Sequence, residues 1–226
     1  APRGGNRPRP ATATGRGGGR RPAPRRAPRR RGGGPRMLVA LVVVLGLVGL
    51  AVAVLGSRVP EVVDEIRLPL RHEDIIRQQA RDKDLDPALI AAVIYAESRF
   101  RDNQVSSAGA IGLMQITPDT ARDIARQSGG SAFVLGDLHT AQVNISYGAW
   151  RLRHMLQRFH GNLPMAIAGY NAGPENAQKW GDEAAAAGRR FSIARIPFPE
   201  TRLYVEKVLN AQRDYRRTYP TRLGID

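Results

Sequence analysis

The stretch of residues 86–115, DPALIAAVIYAESRFRDNQVSSAGAIGLMQ, constrains the fold of this chain more than any other segment. It opens with Asp86 and Pro87, a typical helix start, because Asp can cap the free N–H groups and Pro tolerates the first helical position. Apolar residues then recur at the three- and four-residue spacing of one helix face: Leu89, Ile90, Val93 and Ile94. The pattern predicts a helix that starts directly after Asp86.

Glu97 falls where the next residue of that apolar face is expected. The helix should end just after it, because Asp102, Asn103 and the later glycines interrupt the periodicity, and a helix C-terminus disfavours negative charge. Both effects are expected to raise the pKa of the Glu97 carboxyl. A carboxyl group that stays protonated near neutral pH can act as a general acid, so Glu97 is the leading catalytic candidate. The alternative is a solvated glutamate at the rim of the apolar stripe.

The net charge of +15 is concentrated at the N-terminus. Residues 1–36 hold twelve arginines and no Asp or Glu, so the rest of the chain is nearly balanced in charge. Their Arg, Gly, Pro and Ala composition cannot bury enough surface to offset the entropy of ordering, which predicts a disordered tail. Such a tail can bind nucleic acid or anionic lipid headgroups, and charge alone does not separate these partners.

Residues 37–55, MLVALVVVLGLVGLAVAVL, contain no charged or strongly polar side chain. At about 1.5 Å per residue, a helix of this length roughly spans the hydrocarbon core of a bilayer, which predicts a single transmembrane helix. A cleaved signal peptide is the alternative, with a small-residue site at 51–53, but the apolar run continues beyond that site. The arginine asymmetry predicts a cytoplasmic N-terminus and an extracytoplasmic domain after Gly56. It also favours anionic lipid over nucleic acid as the partner of residues 1–36.

Cysteine is absent, which excludes disulfides, thiolate nucleophiles and cysteine-containing zinc sites. The four histidines lack the HExxH spacing of a metal site and are interpreted as surface or packing residues: His72, His139, His154 and His160. No metal or other cofactor is therefore predicted.

Residues 56–71 are interpreted as a connector, and residues 72–226 as one domain with a sizeable core. Helix signals cover residues 71–84, 117 to about 127, 137 or 140 to 161, a short helix ending at 171–174 with a second beginning there, and about 200–215. No stretch after the apolar segment shows sustained period-two alternation, so the fold class is predicted to be all-α. Trp150 is expected in the core rather than as a sugar-stacking platform.

Four separated motifs then share one pattern. They are Glu97-Ser98, the SSAGAIGLMQ segment at 106–115, the GYNAG segment at 169–173, and Glu200-Thr201 with Tyr204-Val205. In this order they resemble the lytic transglycosylases of the soluble-lytic (SLT) type, over about residues 72–215. Any one of these motifs would be weak evidence, but four in the right order over one domain are strong evidence.

The resemblance implies a lysozyme-like, mostly helical fold with a groove for the glycan strands of peptidoglycan. Members of this family are lyases that cleave between N-acetylmuramic acid (MurNAc) and N-acetylglucosamine (GlcNAc) and leave a 1,6-anhydro ring. By this resemblance, Glu97 protonates the glycosidic oxygen and then accepts the proton of the MurNAc C6 hydroxyl. Peptidoglycan is then the expected partner, and a monomeric catalytic domain is expected.

Further site residues follow from the resemblance, position by position. Ser106 matches a serine that hydrogen-bonds near the catalytic carboxyl, and Gln115 matches a groove glutamine that contacts the sugar. Tyr170 and Asn171 match groove residues beside the acid. The other matched positions are Tyr204 and Glu200, with an orienting or structural role, and Ser98 and Met114, which could equally be packing residues.

The sequence departs from the family pattern at Gly169, where Ala is common, and at Gln104, where many members have Pro. Both changes affect backbone geometry and leave the chemistry intact. Two other functions remain open from the sequence: a hydrolytic muramidase in which Asp102 or another acid activates water, and a non-catalytic peptidoglycan-binding scaffold module.

Overall fold

The computed structural model describes residues 43–50, 52, 67–129 and 133–225. The chain divides into two units, residues 1–51 and residues 52–226. The predicted span 37–55 is described only at 43–50 and 52, which are helical. Its other positions, the tail 1–36 and most of the connector 56–71 lie outside the described residues. Among the described residues, no helix combines the length and apolar composition that crossing a membrane requires.

The second unit is built from helices. They are α1 Glu73–Lys83, α2 Pro87–Ser98, α3 Pro118–Ser128, α4 Ala141–Arg158, α5 Leu163–Ala172, α6 Pro174–Ala186, α7 Pro199–Thr218 and α8 Pro220–Leu223, with 3-10 turns at Leu135–His139 and Ile193–Arg195. In the described part of the chain, extended pairing is limited to isolated bridges that join Val105 to Ile111 and Ile111 to Ile116. The all-α prediction is therefore confirmed for these residues.

Helix α2 is the centre of the core. Asp86 caps it as predicted, since its carboxylate accepts a hydrogen bond from the Ala88 N–H at 3.0 Å. The residues predicted to form its apolar face are buried, and Ala91 and Ala92 outside that face are as fully buried as Ile90 and Ile94. Other helices, α7 and α1 among them, pack against α2, so it is apolar all round.

The same Asp86 also fastens α7 to the start of α2. Its Oδ2 accepts hydrogen bonds from Gln212 Nε2 at 2.5 Å and from Arg216 Nε at 3.0 Å. Helix α7 then runs alongside α2 over most of its length, and the two share the largest helix interface of the domain. A single carboxylate therefore caps one helix and positions the next, which brings the C-terminal motif next to Glu97.

Threonine caps begin two further helices. Thr117 accepts from the Thr120 N–H at 3.2 Å and starts α3, and Thr140 accepts from the Val143 N–H at 3.4 Å and starts α4. Of the two predicted starts of the long helix, Thr140 is therefore the one used, and a 3-10 turn precedes it.

The prediction that Trp150 lies in the core is wrong. Its side chain is half-buried and its ring stacks on His154, with centroids 5.2 Å apart and an interplanar angle of 7°. The inward face of α4 is filled by smaller residues instead, namely Ile145, Ala149 and Leu152.

Asn144 joins α4 to the loop that follows α2. Its side chain is buried, and its Nδ2 donates to the carbonyl oxygens of Ile111 at 2.9 Å and Leu138 at 2.8 Å. Its Oδ1 accepts from the Met114 N–H at 2.8 Å. Gly112 has a φ of +77°, and a Cβ there would lie 2.2 Å from Asn144 Nδ2. The loop can therefore approach α4 closely enough for these bonds only with glycine at 112.

Asn144→Ala should lower the free energy of unfolding by about 3 kcal/mol, because three buried backbone groups lose their partner. Urea denaturation of the full chain in detergent measures this. The matched control is Asn210→Ala, at an exposed position of α7, which should change stability by less than about 0.5 kcal/mol. Equal effects of the two substitutions would contradict the role assigned to Asn144.

Candidate active site

Glu97 lies in the last turn of α2, and Arg99, which follows the last helical residue Ser98, has a left-handed φ of 52°. The side chain is partly buried, and its Oε1 accepts a hydrogen bond from the Tyr204 hydroxyl at 2.7 Å. Tyr204 belongs to α7, so the contact joins positions 107 residues apart in the chain. The contact between α2 and α7 therefore places one phenol directly on the carboxylate.

Burial raises the pKa of the Glu97 carboxyl from 4.5 to about 7. The Tyr204 hydrogen bond and the positive charges of Arg151 and Lys207 act in the opposite direction, because each stabilises the carboxylate. At neutral pH the group is therefore present in both protonation states, which suits a residue that gives and takes a proton.

Tyr170, from α5, lies near the same carboxyl group. Its hydroxyl donates to the Met114 carbonyl oxygen at 3.0 Å, and burial raises its pKa, with the negative charge of Glu97 adding to the effect. Arg151 donates to the Tyr170 carbonyl oxygen at 3.0 Å, and its guanidinium lies 4.9 Å from the ring centroid. Burial and the charge of Glu97 likewise raise the pKa of Tyr204, so both phenols stay neutral.

Residues 104–115 hold the other side of the site. Gln115, at a φ of +48°, donates through Nε2 to the carbonyl oxygens of Gln104 at 3.2 Å and Gly112 at 3.0 Å. Gln104 donates through its own Nε2 to the backbone carbonyl of Glu97 at 3.3 Å. The loop that carries Gln115 is thus tied directly to the helix end that carries Glu97.

The motif order and this geometry agree with the comparisons with known proteins. Residues 74–192 match the family described as "Transglycosylase SLT domain". The chain belongs to this family. The resemblance stated from the motifs is therefore confirmed.

Known relatives of this SLT domain carry related names. The chain is 34% identical over 154 residues to the "Soluble lytic murein transglycosylase" of Salmonella typhimurium. The matched region covers 67% of this chain and 24% of that protein. It is 28% identical to the "Membrane-bound lytic murein transglycosylase C" of Mannheimia succiniciproducens, over 65% of this chain and 47% of the relative. The chain thus spans about a quarter of the soluble relative and about half of the membrane-bound one.

A solved structure has the same helical fold. The lytic transglycosylase Slt of Pseudomonas aeruginosa, solved as an inactive mutant with glutamine in place of a glutamate, superposes with a TM-score of 0.63. It is 34% identical to this chain, over 68% of this chain and 25% of that one.

The other predicted site residues of the SLT domain fall into two groups. Ser106 is partly buried and Asn171 is exposed. The Ser106 hydroxyl oxygen accepts from the Ala110 N–H at 3.0 Å, and Asn171 Oδ1 accepts from the Thr201 hydroxyl at 2.8 Å. Glu200 is exposed at the start of α7.

Ser98 and Met114 are buried. Ser98 donates to the Ile94 carbonyl oxygen at 3.2 Å, and Met114 packs so tightly on Gly148 that a Cβ there would lie 2.2 Å from its sulfur. Their side chains favour the packing alternative.

Asp102, the candidate water activator, is already engaged. His72 Nε2 lies 2.6 Å from its Oδ1, and Arg71 Nη1 lies 3.6 Å from its Oδ2. Both partners come from the segment that leads into α1, so the structure assigns Asp102 to the link between this segment and the loop after α2.

Sequence reasoning missed two cations of the SLT site, Arg151 and Lys207. Arg151 follows Gly148 by three residues on the buried face of α4, so a charge interrupting an apolar face could have identified it, as it identified Glu97. Lys207 lies one turn after Tyr204 on α7, which places it on the same helix face.

The raised pKa of Glu97 makes stability depend on pH. Between pH 4.5 and about 7, the native state holds a proton at Glu97 that the unfolded chain releases. The contribution of Glu97 to the free energy of unfolding is therefore complete below pH 4.5 and is lost as the pH rises to about 7. The free energy of unfolding of the Glu97→Gln variant, relative to that of the wild type, should therefore rise by about 3 kcal/mol between pH 4 and pH 8. Urea denaturation across this pH range measures the gain.

The control for this measurement is Glu183→Gln, the same substitution at an exposed position of α6. A difference in stability between Glu97→Gln and wild type that does not change with pH would mean that the native pKa of Glu97 is not raised.

Proposed function

We propose that this chain is a membrane-anchored peptidoglycan lytic transglycosylase. It cleaves the β-1,4 bond between MurNAc and GlcNAc without water and forms 1,6-anhydro-MurNAc. The observation that carries the proposal is the partly buried Glu97 with a pKa of about 7, hydrogen-bonded to Tyr204 inside an SLT domain. The names of the relatives, lytic murein transglycosylases, support the substrate and the reaction class.

In the first step, protonated Glu97 donates its proton to the oxygen that bridges the two sugars. The C1–O bond breaks, GlcNAc leaves as an alcohol, and positive charge develops at C1 of MurNAc. The N-acetyl group of MurNAc stabilises this charge, as in substrate-assisted glycosidases. The Glu97 carboxylate that results is stabilised by the Tyr204 hydroxyl and by the charges of Arg151 and Lys207.

In the second step, the Glu97 carboxylate accepts the proton of the MurNAc C6 hydroxyl while that oxygen bonds to C1. The anhydro ring closes and Glu97 returns to its protonated form. Most glycosidases need a second carboxylate as nucleophile or water activator. The substrate replaces it here, so one carboxyl group with a pKa near the working pH is sufficient.

The neighbouring residues take supporting roles. Tyr204 binds Oε1 of Glu97 and so orients the carboxyl group, while Tyr170 fixes the Met114 backbone next to Gln115. Both Nε2 hydrogens of Gln115 are used within the loop, which leaves its Oε1 to accept from a sugar hydroxyl or amide. Asn171 is exposed and can contact the glycan. Ser106 and Glu200 shape the rim of the groove.

The membrane anchor in this proposal is the apolar segment 37–55, with residues 1–36 in the cytoplasm against anionic lipid and the SLT domain outside. The apolar composition and the arginine asymmetry support this topology. A relative named as membrane-bound supports it too. Peptidoglycan lies outside the cytoplasmic membrane, so the topology and the substrate agree.

Glu97→Gln should reduce the release of 1,6-anhydromuropeptides from isolated sacculi about 1,000-fold, because the variant can neither give nor take the proton. Mass spectrometry of the products made by the full chain in detergent measures this. Glu183→Gln, at an exposed position, is the matched control and should act at the wild-type rate.

Two outcomes would contradict the proposal. Products that carry one more water, with a reducing MurNAc end, would indicate a hydrolytic muramidase. A wild-type chain that binds sacculi but never cleaves them would indicate a scaffold module.

Tyr204→Phe should shift the alkaline limb of the kcat/KM profile to higher pH. The Tyr204 hydrogen bond stabilises the Glu97 carboxylate, so its loss raises the pKa of Glu97 above about 7. Glu97 then stays protonated, and able to act as the acid, up to a higher pH. Tyr147→Phe is the control, since the Tyr147 ring packs on Phe133 and should leave the limb in place. A limb that moves to lower pH would contradict the assignment of Glu97 as the acid.

A further inference from the structure

A cavity opens beside the helix end that carries Glu97. It has a volume of about 420 Å³ and lies between Tyr95 of α2, residues of α7 and Arg67. We call it the cationic cavity; its charged lining residues are Arg67, Lys207, Asp214 and Arg217. The mechanism above uses only one of these residues, Lys207, and only for its charge.

The cationic cavity has an excess of positive charge. Asp214 pairs with Arg217 at 2.8 Å, so these two charges cancel. Neither Arg67 nor Lys207 forms an ion pair with any carboxylate of the described residues, and the same holds for Arg99, which flanks the cavity. The Arg99 guanidinium and the Lys207 ammonium each lie 5.5 Å from the Tyr95 ring centroid.

Lys207 connects the cationic cavity to the catalytic carboxyl group. Its Nζ donates to the carbonyl oxygen of Ala96, the residue before Glu97, at 2.8 Å. An ammonium has three N–H donors, so two remain for a ligand. Burial lowers the pKa of Lys207, and the nearby charge of Arg99 lowers it further. A negative charge bound next to Lys207 would raise the pKa of Lys207 and so oppose the effects of burial and of Arg99.

The reaction proposed above does not need this charge for the sugars themselves. N-acetylated sugars in an intact strand are neutral, because the MurNAc lactyl group is amide-linked to a peptide. That peptide stem carries free carboxylates, and it is attached to MurNAc, the sugar whose C1–O bond breaks. Charge-assisted hydrogen bonds from Lys and Arg are the strong way to hold a carboxylate.

We propose that the cationic cavity is a subsite for a carboxylate of the peptide stem, bound by Lys207 and Arg67 while the MurNAc residue lies at Glu97. The inference rests on the proposed function and deepens it. It makes the preferred substrate a glycan strand with acidic stems. The Tyr95 ring forms an aromatic wall of the cavity, with Lys207 and Arg99 over it.

The test is direct binding of two matched ligands to the full chain in detergent, in the Glu97→Gln background, which prevents turnover and removes the titration of Glu97. The ligands are a GlcNAc–MurNAc tetrapeptide with free carboxylates and the same compound with its carboxylates converted to primary amides. Isothermal titration calorimetry gives both dissociation constants. The free acid should bind at least about 10-fold more tightly than the amide, and added salt should reduce the difference.

Substitutions identify the cavity as the origin of this preference. Arg67→Gln should reduce the preference for the free acid to less than about 3-fold and leave the affinity for the amide unchanged. Lys179→Gln, on the exposed side of α6, is the matched control and should retain the full preference. A thermal unfolding midpoint for each variant checks that the fold is intact.

Three outcomes would overturn the subsite: equal binding of the two ligands by the Glu97→Gln chain, an equal loss of affinity for both ligands in the Arg67→Gln variant, or an unchanged preference in that variant. Failure of the proposed function looks different. If the chain prefers the free acid but releases no anhydromuropeptide, the subsite is supported and the lyase activity is contradicted. If it releases anhydromuropeptide but binds both ligands equally, the lyase activity is supported and the subsite is contradicted.

Discussion

The hydrogen bond from Tyr204 to the partly buried carboxylate of Glu97 is the contact on which the rest of this site depends. A carboxyl group removed from water is destabilised in its charged form, and this gives Glu97 a pKa of about 7. Such a group needs a rigid setting, because water that reached it freely would restore an ordinary pKa. The setting is α2, which is buried all round, with α7 packed along it and fastened by Asp86.

The groove side of the site depends on a different chain of contacts. Asn144 on α4 holds the loop at Ile111 and Met114, Gln115 and Gln104 bond within that loop, and Gln104 returns to the carbonyl of Glu97. Each bond involves a backbone group, so the path of the loop is fixed whatever its exposed side chains are. The Oε1 of Gln104 is buried and accepts no hydrogen bond from any described residue.

Local signals in the sequence were sufficient for the helix starts and for the position of Glu97 in the last turn of α2. Asp86, Thr117 and Thr140 act through backbone groups two or three residues away, so a short window contains all the information. The pairing of Glu97 with Tyr204 spans 107 residues, and periodicity cannot encode it; only the family motifs pointed to Tyr204. The same limit explains the error at Trp150. Helix periodicity gives the face on which a residue lies, whereas the packing of α4 against its neighbours decides how deeply that face is buried.

The electrostatic balance at Glu97 follows from opposing contributions that come from different parts of the fold. Burial between α2 and α7 favours the protonated acid, while Arg151 from α4 and Lys207 from α7 favour the carboxylate. With burial alone the pKa would rise further, and the group would give its proton reluctantly. With the cations alone it would fall, and the group would rarely be protonated at neutral pH. A residue that serves as acid and then as base must populate both its protonated and its charged form near the working pH. This requires a carboxyl group that is buried and close to positive charge at the same time.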